Sequence, residues 1–343
     1  MANWIHDIEI KNFKSIRHVR VEDCRRINVF IGYPNVGKSN ILEALSLFEV
    51  GEMYDIDLRE FLRFESYVNL FYNNDISNNI QVKLGDFEKI QLTIDAKGKE
   101  LQLRSESKKM FFEMEIPLDE FAVNTMAHGS NASDYYDSLE RLPIKKYSFV
   151  SAEVGNRLTN SRELVSPFGE NIVNVISLNP GLKKEVVEVL KGYGLKYATD
   201  EHNKIKIVKE YKDNEVKIFP YVQVADTLRR LIFFKAAIAS NSRSVLLFEE
   251  PEAHMFPPYV SKFTADVMYD EHVNQYFIAT HSPFVINDFM ENLKYEELSI
   301  YVVGYRKETG ETEIRRLLEE ELHEIYQYGI DLFLNVGNFL ESD

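Results

Sequence analysis

Residues 32–39 read Gly-Tyr-Pro-Asn-Val-Gly-Lys-Ser, and this octet constrains the fold more than any other stretch. Gly32 and Gly37 bracket four residues and lead into Lys38 and Ser39, the spacing of a P-loop that turns a strand tightly into a helix. The flanks agree: an apolar run, Ile27–Ile31, precedes the octet, and the helix-forming Asn40-Ile41-Leu42-Glu43-Ala44-Leu45 follows it. Such a loop aims backbone N–H groups and the positive end of a helix at an anion. Gly32, Asn35, Val36, Gly37, Lys38, Ser39 and Asn40 are therefore expected to hold a nucleotide. Lys38 would reach the β- and γ-phosphates, and the Ser39 hydroxyl would hold Mg²⁺. Average residue frequencies give such an octet by chance in roughly one chain in a hundred of this length.

At 343 residues, with 45% hydrophobic and 28% charged side chains, the composition is that of a globular protein with a substantial core. A single cysteine, Cys24, excludes a disulfide framework and suits a reducing compartment. The N-terminus lacks a signal-type apolar segment, and no run approaches the roughly 18 apolar residues of a membrane span. A cytoplasmic location with no membrane association is expected. The net charge of −15 disfavours strong direct binding to DNA, which calls for a basic surface. The basic clusters are small: Lys108-Lys109, Arg141 with Lys145-Lys146, and Arg229-Arg230. They are expected to be solvated faces.

Along the chain, Ile8–Ile10, Ile16–Val21 and Ile27–Ile31 read as strands before the loop. Ile80–Leu84, Ile90–Ile94 and Leu101–Leu103 alternate as half-buried strands after it. Residues 105–220 are less regular, with a polar stretch at 128–134, helical patterns near Glu170–Leu178 and Leu182–Lys191, and strands near Lys204–Val208 and Val216–Phe219. From Val222 helices alternate with continuous apolar strands: Thr227–Ser240, Val245–Phe248, Pro258–Tyr269 and Gln275–Ala279. That alternation predicts a parallel sheet buried on both faces. No internal repeat or sustained heptad pattern is present.

Val245–Phe248 ends in Glu249-Glu250, two carboxylates at a strand tip, the edge where open α/β sheets bind ligands. Glu249 is expected in the Mg²⁺ shell and Glu250 as the general base toward water. The plainer reading is an exposed acidic loop. The next strand ends in Ala279-Thr280-His281-Ser282-Pro283, and His281 there can donate a hydrogen bond to a γ-phosphate or its attacking water. A lone histidine more often has no chemical part.

Together these pieces resemble ABC-type ATPases of the RecF, SMC and OLD (overcoming lysogenization defect) group. The resemblance rests on the P-loop with Asn40–Leu45, the opening Ile8-Glu9-Ile10-Lys11-Asn12-Phe13-Lys14-Ser15-Ile16, the Glu249-Glu250-Pro251-Glu252-Ala253-His254 box and Thr280-His281-Ser282-Pro283. The last two are similar to the AAA-15 branch, which includes ATPase subunits of phage-defence pairs such as PARIS and Septu. The motifs span residues 5 to 283. The resemblance implies an α/β fold: an ABC-type P-loop ATPase head with a mostly parallel core sheet, an antiparallel β subdomain and an inserted α/β region. Residues 1–104 would form the N-terminal core half, 105–220 the insertion, 221–316 the C-terminal half and 317–343 an acidic terminal helix. It further implies ATP and Mg²⁺ as cofactors, a homo-oligomer, and a separate effector protein such as a nuclease.

Three departures stand out. ABC-type heads present a Ser-x-Gly signature to a partner's γ-phosphate, but here Val224 and Asp226 hold the serine and glycine positions. Asp226 could instead cap the following helix. Pro34 removes one loop donor, and no Q-loop glutamine can be placed. Val302-Val303-Gly304 and Gly310-Glu311-Thr312-Glu313 echo the start of a Toprim nuclease domain, yet only about 30 residues follow and no Asp-x-Asp pair is among them.

After Arg316 there is no lysine or arginine, while seven acids remain. Leu318, Leu322, Ile325, Leu332 and Phe333 fall at helical spacing, for packing on the core or for docking a neighbour. Three functions stay open: an ATPase sensor or scaffold for an effector in bacterial anti-phage defence, a RecF- or SMC-like DNA-repair ATPase, and a nucleotide-bound structural subunit with little turnover.

Overall fold

The computed structural model describes residues 5–50, 56–85, 88–94, 100–107, 111–117, 122–123, 143–152, 161–202, 204–212 and 215–340. In chain order the elements are β1 (Ile8–Phe13), β2 (Ile16–Val21), β3 (Ile27–Ile31), α1 (Lys38–Val50), β4 (Ile56–Asp57), β5 (Ile80–Leu84), β6 (Glu88–Ile94), β7 (Glu100–Ser107), β8 (Phe111–Pro117), β9 (Ala122–Val123) and β10 (Ile144–Tyr147). There follow α2 (Ile172–Leu178), α3 (Pro180–Lys191), β11 (Leu195–Thr199), β12 (Ile205–Glu210), β13 (Val216–Pro220), α4 (Asp226–Ser240), β14 (Val245–Glu249), α5 (Pro257–Met268) and β15 (Gln275–Ala279). The chain closes with α6 (Pro283–Asn292), β16 (Leu298–Tyr305), β17 (Thr312–Arg316), α7 (Glu319–Tyr328) and α8 (Val336–Leu340). Two compact units result: Met1–Lys146 with Val245–Glu249 and Gln275–Asp343, and Tyr147–Ser244 with Glu250–Asn274.

The first unit is built on a six-stranded sheet of order β10-β14-β15-β3-β16-β17. Strands β14, β15, β3 and β16 run parallel, and β17 returns antiparallel along β16. Every residue of β3 and β15 is buried, as expected of parallel strands enclosed on both faces. The two polar side chains there are fully bonded. Asn28 donates to the carbonyls of Arg25 and Tyr276, and Gln275 bonds the backbone of Ile5 and Arg25. The Toprim-like residues Val302–Gly304 and Gly310–Glu313 lie on or beside the β16–β17 hairpin of this sheet. Among the described residues, no helix is long and apolar enough to cross a membrane.

A second sheet of the same unit is wholly antiparallel, in the order β2-β1-β5-β6-β7-β8. Ile8, Ile10, Ile80, Val82 and Leu84 face inward in alternation. On its outer face Glu9 pairs with Lys11, His18 and Lys83. Burial opposes the Glu9 charge, but these partners outweigh it and hold the carboxyl at about 2. A carboxylate lowered in the folded state stabilises fully above its ordinary value near 4.5 and loses that contribution as pH falls toward 2. The urea midpoint of Glu9→Gln should therefore trail the unaltered chain at about pH 5 and converge on it as the pH is lowered.

Cys24 is buried under Tyr301, whose hydroxyl donates to Sγ at 3.6 Å, and burial pushes the thiol up to about 12. Thiolate supplies the reactivity of cysteine. An alkylating reagent at mildly alkaline pH should thus leave native Cys24 unmodified and label it fully in urea.

The expected insertion at 105–220 is divided: β8 joins the antiparallel sheet, β10 edges the parallel one, and residues from Tyr147 onward build the second unit. The polar stretch 128–134, Lys108-Lys109 and Arg141 lie outside the described residues. The acidic tail is two helices, because Gly329 adopts the left-handed conformation (φ 62°) and its N–H closes α7 onto the carbonyls of Ile325 and Tyr326. Leu322, Ile325 and Leu332 are buried within the first unit, where α7 packs on α6 and α8 on β16.

Among its described residues the second unit combines an antiparallel sheet, β11-β12-β13, with helices α2, α3, α4 and α5. Helix α4 is its centre, burying Leu228, Leu231, Ile232, Phe233 and Phe234 against α2, α3 and α5. Arg229, expected to be solvated, is only 6% exposed. Its guanidinium donates to the carbonyls of Val224 and Ser151 and to Asp226. Asp226 is the first helical residue, not the cap, and also accepts from Ser151 Oγ at 2.5 Å. Hydrogen bonds from Ser151, together with Arg229, lower its carboxyl.

Candidate nucleotide site

The loop after β3 is fixed by close approach. Gly32 has φ 151°, and a Cβ there would lie 2.1 Å from the Val303 carbonyl oxygen. At Gly37 (φ 105°) a Cβ would lie 2.5 Å from Thr312 Oγ1 and 2.9 Å from Ser15 Oγ. Neither position accepts a side chain without moving its neighbours. A relay holds the loop from outside: Thr312 Oγ1 donates to the Val36 carbonyl at 3.1 Å, Ser15 bonds Thr312 at 2.8 Å, and Asn40 Nδ2 donates to Ser15 at 2.8 Å. With the Thr312 proton used on Val36, Ser15 is the donor to Thr312. Asn40 thus acts on the loop through Ser15.

Lys38 opens α1 and is 5% exposed, its Nζ donating to the carbonyls of Gly32 at 3.0 Å and Tyr33 at 2.8 Å. The first turn of α1 holds no acid, so the helix's positive end is uncompensated. Tyr33, Pro34 and Asn35 are exposed, Val36 and Gly37 are buried, and Ser39 is half-buried beside them. A buried cation, a bare helix N-terminus and two obligatory glycines fit a polyphosphate.

Sheet register brings in the distant elements. Glu249 is paired with Ala279, Ala279 with Phe30, and the Thr280 N–H donates to the Phe30 carbonyl at 3.1 Å. Adjacent strands lie about 4.8 Å apart, which puts Glu249 about 10 Å across the sheet from the P-loop strand. His281 stands two residues beyond Ala279, as Gly32 stands two beyond Phe30. Glu249, His281 and the loop therefore share the carboxyl edge of one parallel sheet. Glu250 follows Glu249 directly, with φ 43°, and its carbonyl accepts from Arg230 within the second unit. Among the described residues, no cluster of three or more His, Cys, Asp or Glu could hold a metal.

Behind Glu249 lies a charge network that the sequence reading missed. Arg63 bonds Glu249 Oε1 at 3.0 Å and Glu43 Oε1 at 2.7 Å, and Lys14 pairs with the other Glu43 oxygen. Burial opposes the Arg63 charge, but Glu249 and Glu43 together raise its pKa. Lys146, expected to be solvated, is buried instead. Its Nζ donates to the Phe61 carbonyl at 2.8 Å and lies 3.9 Å from Glu249 Oε2, and its N–H donates to Glu49. Burial lowers the pKa of both Lys14 and Lys146. The available signal was Glu43 and Glu49, two acids set among the apolar residues of α1.

The architecture is an SMC-head-like α/β fold with a mostly parallel mixed sheet and separate antiparallel sheets. A solved SMC head bound to the C-winged helix domain of ScpA shares it with a TM-score of 0.53 at 14% identity, covering 94% of this chain and all of that one. The chain belongs to the AAA_21 family, described as "AAA domain, putative AbiEii toxin, Type IV TA system", whose model matches residues 27–287. It is similar to a Helicobacter pylori protein named ATP/GTP phosphatase, 23% identical over 286 residues, 72% of this chain and 76% of that protein. It is also similar to the DNA replication and repair protein RecF of a Thermoanaerobacter species, 24% identical over 217 residues, 60% of this chain and 56% of RecF. By class it is an AAA-family ATPase domain.

Proposed function

We propose that this chain binds and hydrolyses ATP with magnesium and acts as a homo-oligomeric sensor or scaffold for a separate effector protein. An effector such as a nuclease, within a bacterial anti-phage pair of the AAA-15 kind, is the setting the motifs favour. One observation supports the site above all: the register Glu249–Ala279–Phe30, which aligns three distant segments at one sheet edge. Lys38 and the loop N–H groups neutralise the β- and γ-phosphates, and Ser39 and Glu249 would hold the magnesium. Bound magnesium would offset charge building on the transferred phosphoryl. Glu250 takes the proton of the attacking water, and His281 donates a hydrogen bond to the γ-phosphate or to that water.

Turnover tests this chemistry. Glu250→Gln should hydrolyse ATP about a hundredfold more slowly with unchanged ATP affinity. Equal inertness of both forms would favour the structural subunit instead. Native mass of material co-purified from the natural operon tests the scaffold. An assembly that changes with ATP and contains a second protein supports it, and a lone chain indifferent to ATP sinks it.

The RecF likeness supports a second reading, direct DNA binding. It predicts ATP-dependent affinity that falls steeply with salt. The net charge of −15 and the capture of Lys11, His18 and Lys83 by Glu9 weigh against it.

A further inference from the structure

Both ends of the phosphate-binding loop lie against one hairpin of the first unit. The Val303 carbonyl of β16 closes off Gly32, and Thr312, the first residue of β17, closes off Gly37. Thr312 is 3% exposed, and its hydroxyl meets the carbonyl of Val36, 276 residues away in the chain. The peptide joining Val36 to Gly37 is planar and trans, so its C=O and its N–H point in opposite directions. Anchoring the carbonyl on Thr312 therefore turns the Gly37 N–H away from β17. Nothing within Gly37 fixes that plane, because a residue without Cβ moves freely among conformations. The orientation has to come from outside, and the Thr312 hydroxyl supplies it.

The anchor is itself braced. Ser15 gives its proton to Thr312 Oγ1, takes one from Asn40, and accepts the Thr312 N–H on its own carbonyl at 3.2 Å. Lys14, just before it, holds φ 52° with its N–H on the Leu70 carbonyl at 2.9 Å. A left-handed conformation at a non-glycine residue persists where its surroundings over-determine it. Arg17, just beyond, pairs with Glu311 at 2.8 Å. The β1–β2 turn and the start of β17 are thus locked together at Ser15 and Thr312, against the outer flank of Gly37. Packing alone would be served equally by valine, which has the shape of threonine. Only the hydroxyl can hold the Val36 carbonyl.

We infer that Thr312, seated by Ser15, is a positioning residue for nucleotide binding: it aims the Gly37 N–H at the phosphates without touching them itself. The inference rests on the ATP site proposed above. Titration calorimetry with ATP on the full chain tests it, with Thr312→Val and Thr312→Ser beside the unaltered protein. Thr312→Val should bind ATP about tenfold more weakly, the share of one hydrogen bond to a charged acceptor. Thr312→Ser keeps the hydroxyl and should bind within about twofold of the unaltered chain. Urea midpoints taken on the same samples separate this effect from stability, because a purely structural threonine would move the midpoint and leave ATP affinity alone. The inference is overturned if Thr312→Val binds ATP as tightly as the unaltered chain, or if Thr312→Ser binds as weakly as the valine form. Either result leaves the proposed function standing, whereas an unaltered chain that binds no ATP removes both readings.

Discussion

Replacing Lys38 with alanine should weaken ATP binding by more than about a hundredfold and abolish turnover, with the chain still folded. The magnitude follows from charge-assisted hydrogen bonds to phosphate, each worth about 1.5–3 kcal/mol. Lys38 is buried at the first turn of α1, where the low dielectric strengthens such bonds and few alternatives exist. Its present partners, the carbonyls of Gly32 and Tyr33, are satisfied in the same loop. A phosphate arriving there would draw the ammonium from neutral acceptors to charged ones. Titration calorimetry gives the affinity, and circular dichroism checks that the fold survives. Equal affinity in both forms would mean that the loop holds no triphosphate.

Local chemistry was what the sequence revealed best. The octet predicts its own loop because the φ values at Gly32 and Gly37 and their contacts with Val303 and Thr312 admit no side chain. Continuous apolar runs reveal β14 and β15 because both faces of those strands are enclosed. Strand order is a tertiary property, so the placement of β3 between β15 and β16 could not be read from any window of residues. The same limit hid the pairs behind Glu249. Arg63 lies 186 residues away, and Lys146 sits in a basic doublet whose look is that of a solvated surface. Gly329 carried a readable helix stop, but the apolar spacing of Leu318 to Phe333 masked it, because Leu322 and Ile325 of α7 and Leu332 of the link before α8 all turn inward. Val224 and Asp226 stand where the resemblance expects the serine and glycine of a signature, and in the structure the Val224 side chain is buried and Asp226 is bound to Arg229 and Ser151.

Glu43→Ala should cost about 3–5 kcal/mol of unfolding free energy, the usual loss when one partner leaves a buried ion pair. Glu43 is fully buried on α1, and Lys14, its near partner, is only 11% exposed at the side chain. Without Glu43, Lys14 keeps the Arg63 carbonyl but loses its counter-charge, and burial already lowers its pKa. Arg63 contributes less, since its side chain is 64% exposed and water screens the pair. The mechanism makes a second expectation: Glu43→Leu combined with Lys14→Met should recover most of the lost stability, because apolar groups of similar volume remove the stranded charge. Arg63 would meanwhile keep Glu249 as its remaining anchor, so the magnesium dependence of ATP binding should shift in the single variant. Urea unfolding followed by far-ultraviolet circular dichroism measures the first effect. A single-variant loss below about 1 kcal/mol would show the network to be solvated and α1 to be held by its apolar face alone.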